Sequence, residues 1–348
     1  MRVVVTGATG NVGTSTLEAL RADERVDSIV GIARRRPELE LRKVEWVAAD
    51  VRSADLVSLF RGADAVIHLA WLIQPSRDEQ ELESVNVVGS ERVFGAAADA
   101  GVPRLIYASS VGAYSPGPKD RFVDESHPTD GIASSFYSRH KAATERTLDR
   151  LESSTDSISV VRLRPALIFK REAASGIRRL FAGPFLPNAL VNRNLIPIVP
   201  AVPGLRFQAV HSLDVGDAYR RAVFSEADGA FNIAADPVLD PDRLAELLGA
   251  RPVKLRGSVL RAAASVTWRL RLQPSPPGWV DMALNVPLMS SERAKKELGW
   301  EPQRSSEEAL LELLDGLRHG EGFPTPPLDP GTGGPLRVRE LATGVGAR

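Results

Sequence analysis

Short runs of consecutive apolar residues alternate with helically spaced segments along the first part of the chain. Val3–Thr6, Ser28–Ala33, Val44–Ala48, Ala65–Ala70, Arg104–Ser109 and Ser157–Leu163 read as strands. Between them, Val12–Arg21, Ser53–Phe60, Glu79–Ala100 and Ser134–Ser153 read as helices. In Glu79–Ala100 the apolar positions Leu82, Val85, Val88, Val93 and Ala97 recur with the period of a helix face. Strands that are apolar throughout are covered on both faces, which is the signature of a parallel sheet between helical layers. The pattern predicts an α/β protein with a doubly wound parallel sheet.

After Pro165 the pattern weakens. Residues 170–206 are rich in Pro, Gly, Arg and Asn. Val215–Ser225, Asp242–Gly249, Gly257–Leu272, Ser291–Leu298 and Ser305–Arg318 read as helices, and Ala230–Ala234 as a strand. The expected organisation is a nucleotide-type domain over 1–169 and a smaller, mostly helical lobe over 170–318. Residues 207–235 are expected to return to the sheet. The tail, 319–348, is dominated by Gly and Pro and reads as disordered or loosely draped.

Composition narrows the chemistry. The 348 residues contain no cysteine, which excludes disulfides, thiolate nucleophiles and Cys-ligated metal centres. Lys plus Arg and Asp plus Glu are 44 each, so no uniformly basic nucleic-acid binder is expected. The five histidines show no metal-ligand spacing, and no metal is expected. No segment reads as a targeting sequence or a membrane span, and the expectation is a cytoplasmic protein acting on a small molecule. The basic stretch Arg251–Arg271 reads as a helix with Val259, Ala262, Val266 and Leu270 on an inward face.

The turn Thr6-Gly7-Ala8-Thr9-Gly10-Asn11-Val12-Gly13 lies between the first strand and the first helix. Glycines three apart let the backbone turn tightly and approach a pyrophosphate at the helix N-terminus. Further along stand Tyr137-Ser138-Arg139-His140-Lys141, Ser109-Ser110 followed by Tyr114, Asp64–Ala70, Asn86-Val87-Val88-Gly89, Arg164-Pro165 and Leu298-Gly299-Trp300-Glu301-Pro302. Together these resemble the extended branch of the short-chain dehydrogenase/reductase superfamily, specifically the NAD-dependent epimerase/dehydratase family, whose sheet is of the Rossmann type.

Tyr137 and Lys141 are four apart on an expected helix and share a face. An ammonium beside a phenol favours the phenolate, which is otherwise scarce near neutrality. The resemblance implies that Tyr137 exchanges a proton with the substrate oxygen while a hydride moves to or from the nicotinamide. It also implies that Lys141 holds the nicotinamide ribose and that Ser110 polarises the substrate, with Ser109 as the neighbouring alternative. Asn86 is implied to serve a water network behind the lysine. The cofactor-contacting positions implied are Gly7, Thr9, Gly10, Asn11, Val12, Gly13, Asp50, Val51, Leu69, Ala70 and Pro165, together with Tyr137 and Lys141. His68, in an apolar strand, reads as a core histidine.

The second strand ends without a carboxylate, in Ala33-Arg34-Arg35-Arg36. Arg34 and Arg35 suit the 2′-phosphate of NADP(H), which is favoured over NAD(H); the alternative is a solvated charge run. Val111 and Gly112 stand where the family's dehydratases carry an Asp-Glu pair, so water elimination is disfavoured. Arg206 falls one residue away from the family's diphosphate-clamping arginine, which weakens the sugar-nucleotide reading. Arg178, Arg179 and Arg193 remain as anion contacts or surface charge. Phe181, Phe185, Leu186, Leu190, Leu195, Ile196 and Ile198 are either pocket lining or small-lobe core. Net oxidation or reduction of an alcohol–carbonyl pair is the leading expectation. Sugar-nucleotide epimerisation by transient oxidation and a non-catalytic dinucleotide sensor are the alternatives. The resemblance also implies a homodimer built through the helices of 79–100 and 134–153.

Overall fold

The computed structural model describes residues 1–73, 77–181 and 196–333. Its first strands are β1 (Arg2–Thr6), β2 (Ser28–Ala33), β3 (Val44–Ala48), β4 (Ala65–His68) and β5 (Arg104–Ala108). They are followed by β6 (Phe122–Val123), β7 (Ser159–Pro165), β8 (Leu167–Phe169) and β9 (Ile198–Ala201). The last are β10 (Ala209–His211), β11 (Gly229–Ile233), β12 (Arg251–Lys254) and β13 (Leu288–Met289). Seven of them form one parallel sheet in the order β11-β7-β5-β4-β1-β2-β3. The order reverses between β1 and β4, and that is where a doubly wound sheet opens a crevice at its carboxyl edge.

Five helices precede the smaller lobe: α1 (Asn11–Ala22), α2 (Leu56–Phe60), α3 (Glu79–Glu83), α4 (Gly89–Asp99) and α5 (Phe136–Ser154). The two sheet faces carry separate cores. Leu17 and Leu20 of α1 pack with Val3, Val5 and Ile29 on one side, and Val93, Phe94 and Ala97 of α4 with Val4 and Val66 on the other. Successive strand residues thus face opposite helical layers, which is why the strands read as unbroken apolar runs.

The helix expected over 79–100 is interrupted. Ser84–Val88 form one π-helical turn between α3 and α4. Such a turn inserts a residue without breaking the axis and is invisible to apolar spacing alone.

The later helices are α6 (Ala174–Phe181), α7 (Ser212–Phe224), α8 (Pro241–Leu248), α9 (Gly257–Arg269), α10 (Gly278–Asn285), α11 (Glu292–Leu298) and α12 (Ser306–His319). α7 crosses α1 so closely that a Cβ on Gly216 would lie 2.5 Å from the Ser15 carbonyl oxygen. The register of α9 corrects the sequence expectation. Val259, Val266 and Leu270 are 50, 53 and 64% exposed, and Ala262 is exposed too, while Leu260, Ala264 and Thr267 face the protein. Both faces carry small or apolar residues, so periodicity cannot choose between them; packing against α10 does.

The tail also departs from expectation. Residues 320–333 pack on the domain, burying Thr325 and Leu328 to 1 and 4% exposure. Phe323, Thr325 and Leu328 close this segment on itself through backbone hydrogen bonds. Ser175, Arg179 and Thr9 supply its attachments. Residues 334–348, and with them the rest of the tail expectation, lie outside the described residues. So do Phe185, Leu186, Leu190, Arg193 and Leu195.

Candidate active site

The phosphate turn is set by backbone approach. Gly7 has φ +71°, and a Cβ there would lie 2.6 Å from the Ala70 nitrogen. A Cβ on Gly13 would meet the Gly7 carbonyl oxygen at 2.4 Å. Gly10 caps α1, leaving the first-turn N–H groups of Asn11 and Val12 at the positive end of the helix dipole. Leu69 donates its N–H to the Thr6 carbonyl at 3.0 Å, drawing the end of β4 against the turn. Any side chain at 7 or 13 would fill this cradle, so the residues present fit a dinucleotide pyrophosphate.

Other expected cofactor positions gather at the same edge. Asp50 binds Arg52 through both carboxylate oxygens at 3.0 and 2.7 Å, and that hydrogen bonding holds its carboxyl below the usual range. Val51 is buried, and Arg34 and Arg35 are exposed immediately past β2. Pro165 ends β7 and pairs with Ile233.

Tyr137 and Lys141 lie in the first turns of α5, whose N-cap Ser135 accepts from the Ser138 N–H. Ser110 neighbours the Tyr137 side chain and favours its ionised form. Gly112 makes room for the ring: a Cβ there would be 2.8 Å from Tyr137 Cε1. The tandem serines have different jobs. Ser110 caps the next turn through the Gly112 N–H at 3.0 Å, whereas Ser109 donates to Glu145 at 2.5 Å.

The lysine sits differently from the sequence expectation. Lys141 Nζ donates to the Ala108 carbonyl at 2.6 Å and to the Tyr107 hydroxyl at 3.4 Å, and it lies 3.4 Å from the centre of the Trp71 ring. It is 5.9 Å from the Tyr137 ring centre. Burial pulls its ammonium well below the ordinary lysine range, against the opposing charge of Glu145. Burial likewise raises Tyr137 to about 12, with the neighbouring Ser110 side chain opposing. In this arrangement desolvation outweighs any activation of the phenol by the lysine, and Tyr137 carries its proton.

Asn86, fully buried in the π turn, spends its side-chain amide on Leu72: the N–H of Leu72 donates to Oδ1 at 2.7 Å, and Nδ2 donates to the Leu72 carbonyl at 3.0 Å. It pins the segment that carries Trp71. His68 is held by Thr6 at 2.7 Å and Ser90 at 2.9 Å, with burial pushing its imidazole down to about 3. It is a neutral core residue.

Sequence reasoning missed several residues that only folding assembles. Trp279 of α10 lies 5.1 Å from the Tyr137 ring centre and Trp71 lies 6.0 Å away, so two indoles flank the phenol. Behind Ser109, Glu145 is fully buried and bridges Arg162 and Arg164 at 2.9–3.0 Å. Lys170, at 5% exposure, donates to Thr14 at 2.7 Å and Ser15 at 3.2 Å in the first turns of α1.

Of the arginines considered as anion contacts, Arg206 donates to the Lys119 carbonyl at 2.6 Å and Arg179 to the Pro327 carbonyl at 2.5 Å.

An uncharacterized protein of Mycobacterium tuberculosis (strain H37Rv) is 28% identical over 321 residues, 91% of this chain; the chain spans 30% of that relative's length. A 3 beta-hydroxysteroid dehydrogenase/Delta 5-->4-isomerase of the same strain is 27% identical over 90% of this chain and 89% of its own. Among solved structures, the Thermus thermophilus UDP-glucose 4-epimerase complex with NAD superposes with TM-score 0.67 at 22% identity, covering 91% of this chain and 99% of the other. That likeness establishes the fold. The model of the NAD dependent epimerase/dehydratase family matches residues 3–234, spanning the glycine turn, the Ser110–Tyr137–Lys141 cluster and β11, and the chain belongs to that family.

Proposed function

We propose that the chain is an NAD(P)-dependent oxidoreductase acting at a secondary alcohol or its ketone, with Tyr137 as the proton-transfer group. The observation that carries this reading is the placement of Tyr137 beside Ser110 at the carboxyl edge of the sheet, with its ring packed on Gly112, the residue whose N–H Ser110 accepts. Two neighbouring hydroxyls define a point from which both can donate to one carbonyl oxygen. Tyr137 is protonated at rest, which is the form that carbonyl reduction requires. A bound reduced nicotinamide would supply the hydride for the carbonyl carbon, while Tyr137 gives its proton to the carbonyl oxygen and is reprotonated from solvent. Ser110 steadies the developing oxyanion. Lys141 is placed to bind the nicotinamide ribose once Trp71 and the Ala108 carbonyl yield it. Trp71 and Trp279 keep water from the phenol.

The cofactor assigned is NADP(H) in preference to NAD(H). Arg34 and Arg35 are solvent-facing at the end of β2, and the carboxylate past β3, Asp50, is already committed to Arg52. Net oxidoreduction is preferred to sugar-nucleotide epimerisation because Arg206 stands one residue away from the family's diphosphate-clamping position and turns one N–H to the Lys119 carbonyl. A homodimer through α3–α4 and α5 is supported by Val88, 49% exposed on the π turn.

Tyr137→Phe tests the reading. It should keep NADPH affinity, measured by nicotinamide fluorescence, and lose about 10²- to 10⁴-fold in turnover. Unchanged turnover overturns the role. Arg34→Ala should weaken NADPH binding far more than NADH binding; equal effects would remove the 2′-phosphate assignment.

A further inference from the structure

Helices α9 and α10 border a cavity of about 400 Å³, within the roughly 300–1,000 Å³ usual for small-molecule sites. Among the described residues its wall is built mainly from Leu205, Leu260, Ala264, Val280 and Leu284, with the indole of Trp279. No charged side chain among the described residues lines it. The polar side chains that do line it have spent their donors within the protein. The Thr267 hydroxyl donates to the Ala263 carbonyl at 2.8 Å. The Gln273 amide donates to the Ala264 and Ser275 carbonyls at 3.1 and 2.6 Å, and its oxygen accepts from the Ser275 N–H at 2.6 Å. The Ser275 hydroxyl donates to the Leu180 carbonyl.

A sugar or diphosphate entering such a cavity would give up water and find no free donor to replace it, whereas a hydrocarbon loses nothing. The nearby cations do not change this. Lys119 Nζ donates to the Arg206 and Ala283 carbonyls at 2.9 and 2.8 Å, and Arg206 donates back to Lys119. The cavity also meets the chemistry through a shared residue. Trp279 lies 5.1 Å from the Tyr137 ring, and Met282 and Val286 of the same helical stretch cluster with Ile132 around that phenol.

We infer that the substrate is a lipophilic ketone or secondary alcohol, its hydrocarbon body filling the α9–α10 cavity while its oxygen meets Tyr137 and Ser110 beside Trp279. This rests on the oxidoreductase reading for the reaction but not for the binding, which the test separates.

Calorimetric titration of the NADPH-loaded Tyr137→Phe protein reads binding without turnover. Straight-chain methyl ketones from butanone to decanone are compared with UDP-glucose. Affinity should climb by up to about fourfold per methylene until the cavity is full, and UDP-glucose should give no saturable heat. Ala264→Trp, added to that protein, should cut decanone affinity by about tenfold or more and leave butanone nearly unchanged, because the new ring occupies the space. Should that variant unfold early in a thermal scan, Val280→Ala serves instead, shifting the preference toward branched ketones of greater volume. Length-independent affinity, insensitivity to both substitutions, or tighter binding of UDP-glucose than of decanone overturns the inference. Ketone binding of the expected kind, with no turnover by the native chain, would instead overturn the oxidoreductase reading and leave the cavity assignment standing.

Discussion

The hydroxyl of Thr325 donates to the carbonyl of Thr9 across 2.8 Å in buried surroundings, tying the C-terminal segment to the phosphate turn. Phe323, two residues earlier, places its ring centre 5.8 Å from Lys170 Nζ. The glycine turn is thus tied down by a residue more than three hundred positions away in sequence.

Thr325→Val keeps the shape and removes the donor, leaving a buried carbonyl unpaired. Stability should fall by about 1–2 kcal/mol in urea unfolding, and NADPH should dissociate faster in stopped-flow fluorescence. A variant equal to the native chain in both would show that the strap does not brace the turn.

Glycine substitutions should sort by space. Gly13→Ala drives a methyl into the Gly7 carbonyl and should abolish measurable NADPH binding, and Gly7→Ala adds backbone strain to a similar collision. Gly95, inside α4, has nothing within 4 Å of its Cβ direction. Gly95→Ala should therefore raise stability by about 0.5–1 kcal/mol through helix propensity, with cofactor affinity unchanged. Loss of binding in Gly95→Ala would indicate a general fragility of the domain instead.

Acid should find Glu145. Burial alone would raise its carboxyl, but the Arg164 hydrogen bonds and the charges of Arg164 and Arg162 overcome this and hold it near 2. A carboxyl lowered in the folded state contributes stability that is present above its unfolded value, near 4.5, and is lost as pH falls toward 2. Glu145→Gln takes the carboxylate from buried Arg164, while Arg162 keeps Asp149 and Glu152, and should cost about 3–5 kcal/mol at neutral pH. The difference between native and variant unfolding curves should shrink across that acid window. A pH-independent difference would assign the loss to packing.

Alkali should find Lys170. Burial lowers its ammonium from 10.5 to about 8, against Glu172 and Glu18. The unfolded chain then binds more protons between those values, so this residue makes stability rise with pH from about 8 to 10.5. Lys170→Met should flatten that limb in a native-minus-variant comparison and stabilise the chain near pH 7. If Lys170 also faces the cofactor phosphates electrostatically, the same variant weakens NADPH binding, most strongly below pH 8. A steeper alkaline limb in the methionine variant would contradict the burial argument.

The parallel sheet and the glycine turn were legible because each depends on residues close together in sequence. Apolar runs at β1, β2, β4 and β5 need only be covered on both faces, and Gly7, Gly10 and Gly13 need only flank one strand end. The spacing of Tyr137 and Lys141 fixed their common helix but not the direction of the ammonium, which turns to Ala108 and Trp71. Ser109 and Ser110 are chemically alike; the sheet edge gives one to Glu145 and the other to Tyr137.

By itself, then, the sequence determined the fold class, the family and the pairing of Tyr137 with Lys141 on one helix, since local periodicity and short motifs encode them. Tertiary structure decided what surrounds that pair. It set the face that α9 turns inward, brought Trp279 to Tyr137, passed the tail over Thr9 and exhausted the donors of the α9–α10 cavity. Each of these depends on contacts between segments far apart in the chain, where several registers satisfy the same local pattern and only close packing selects one.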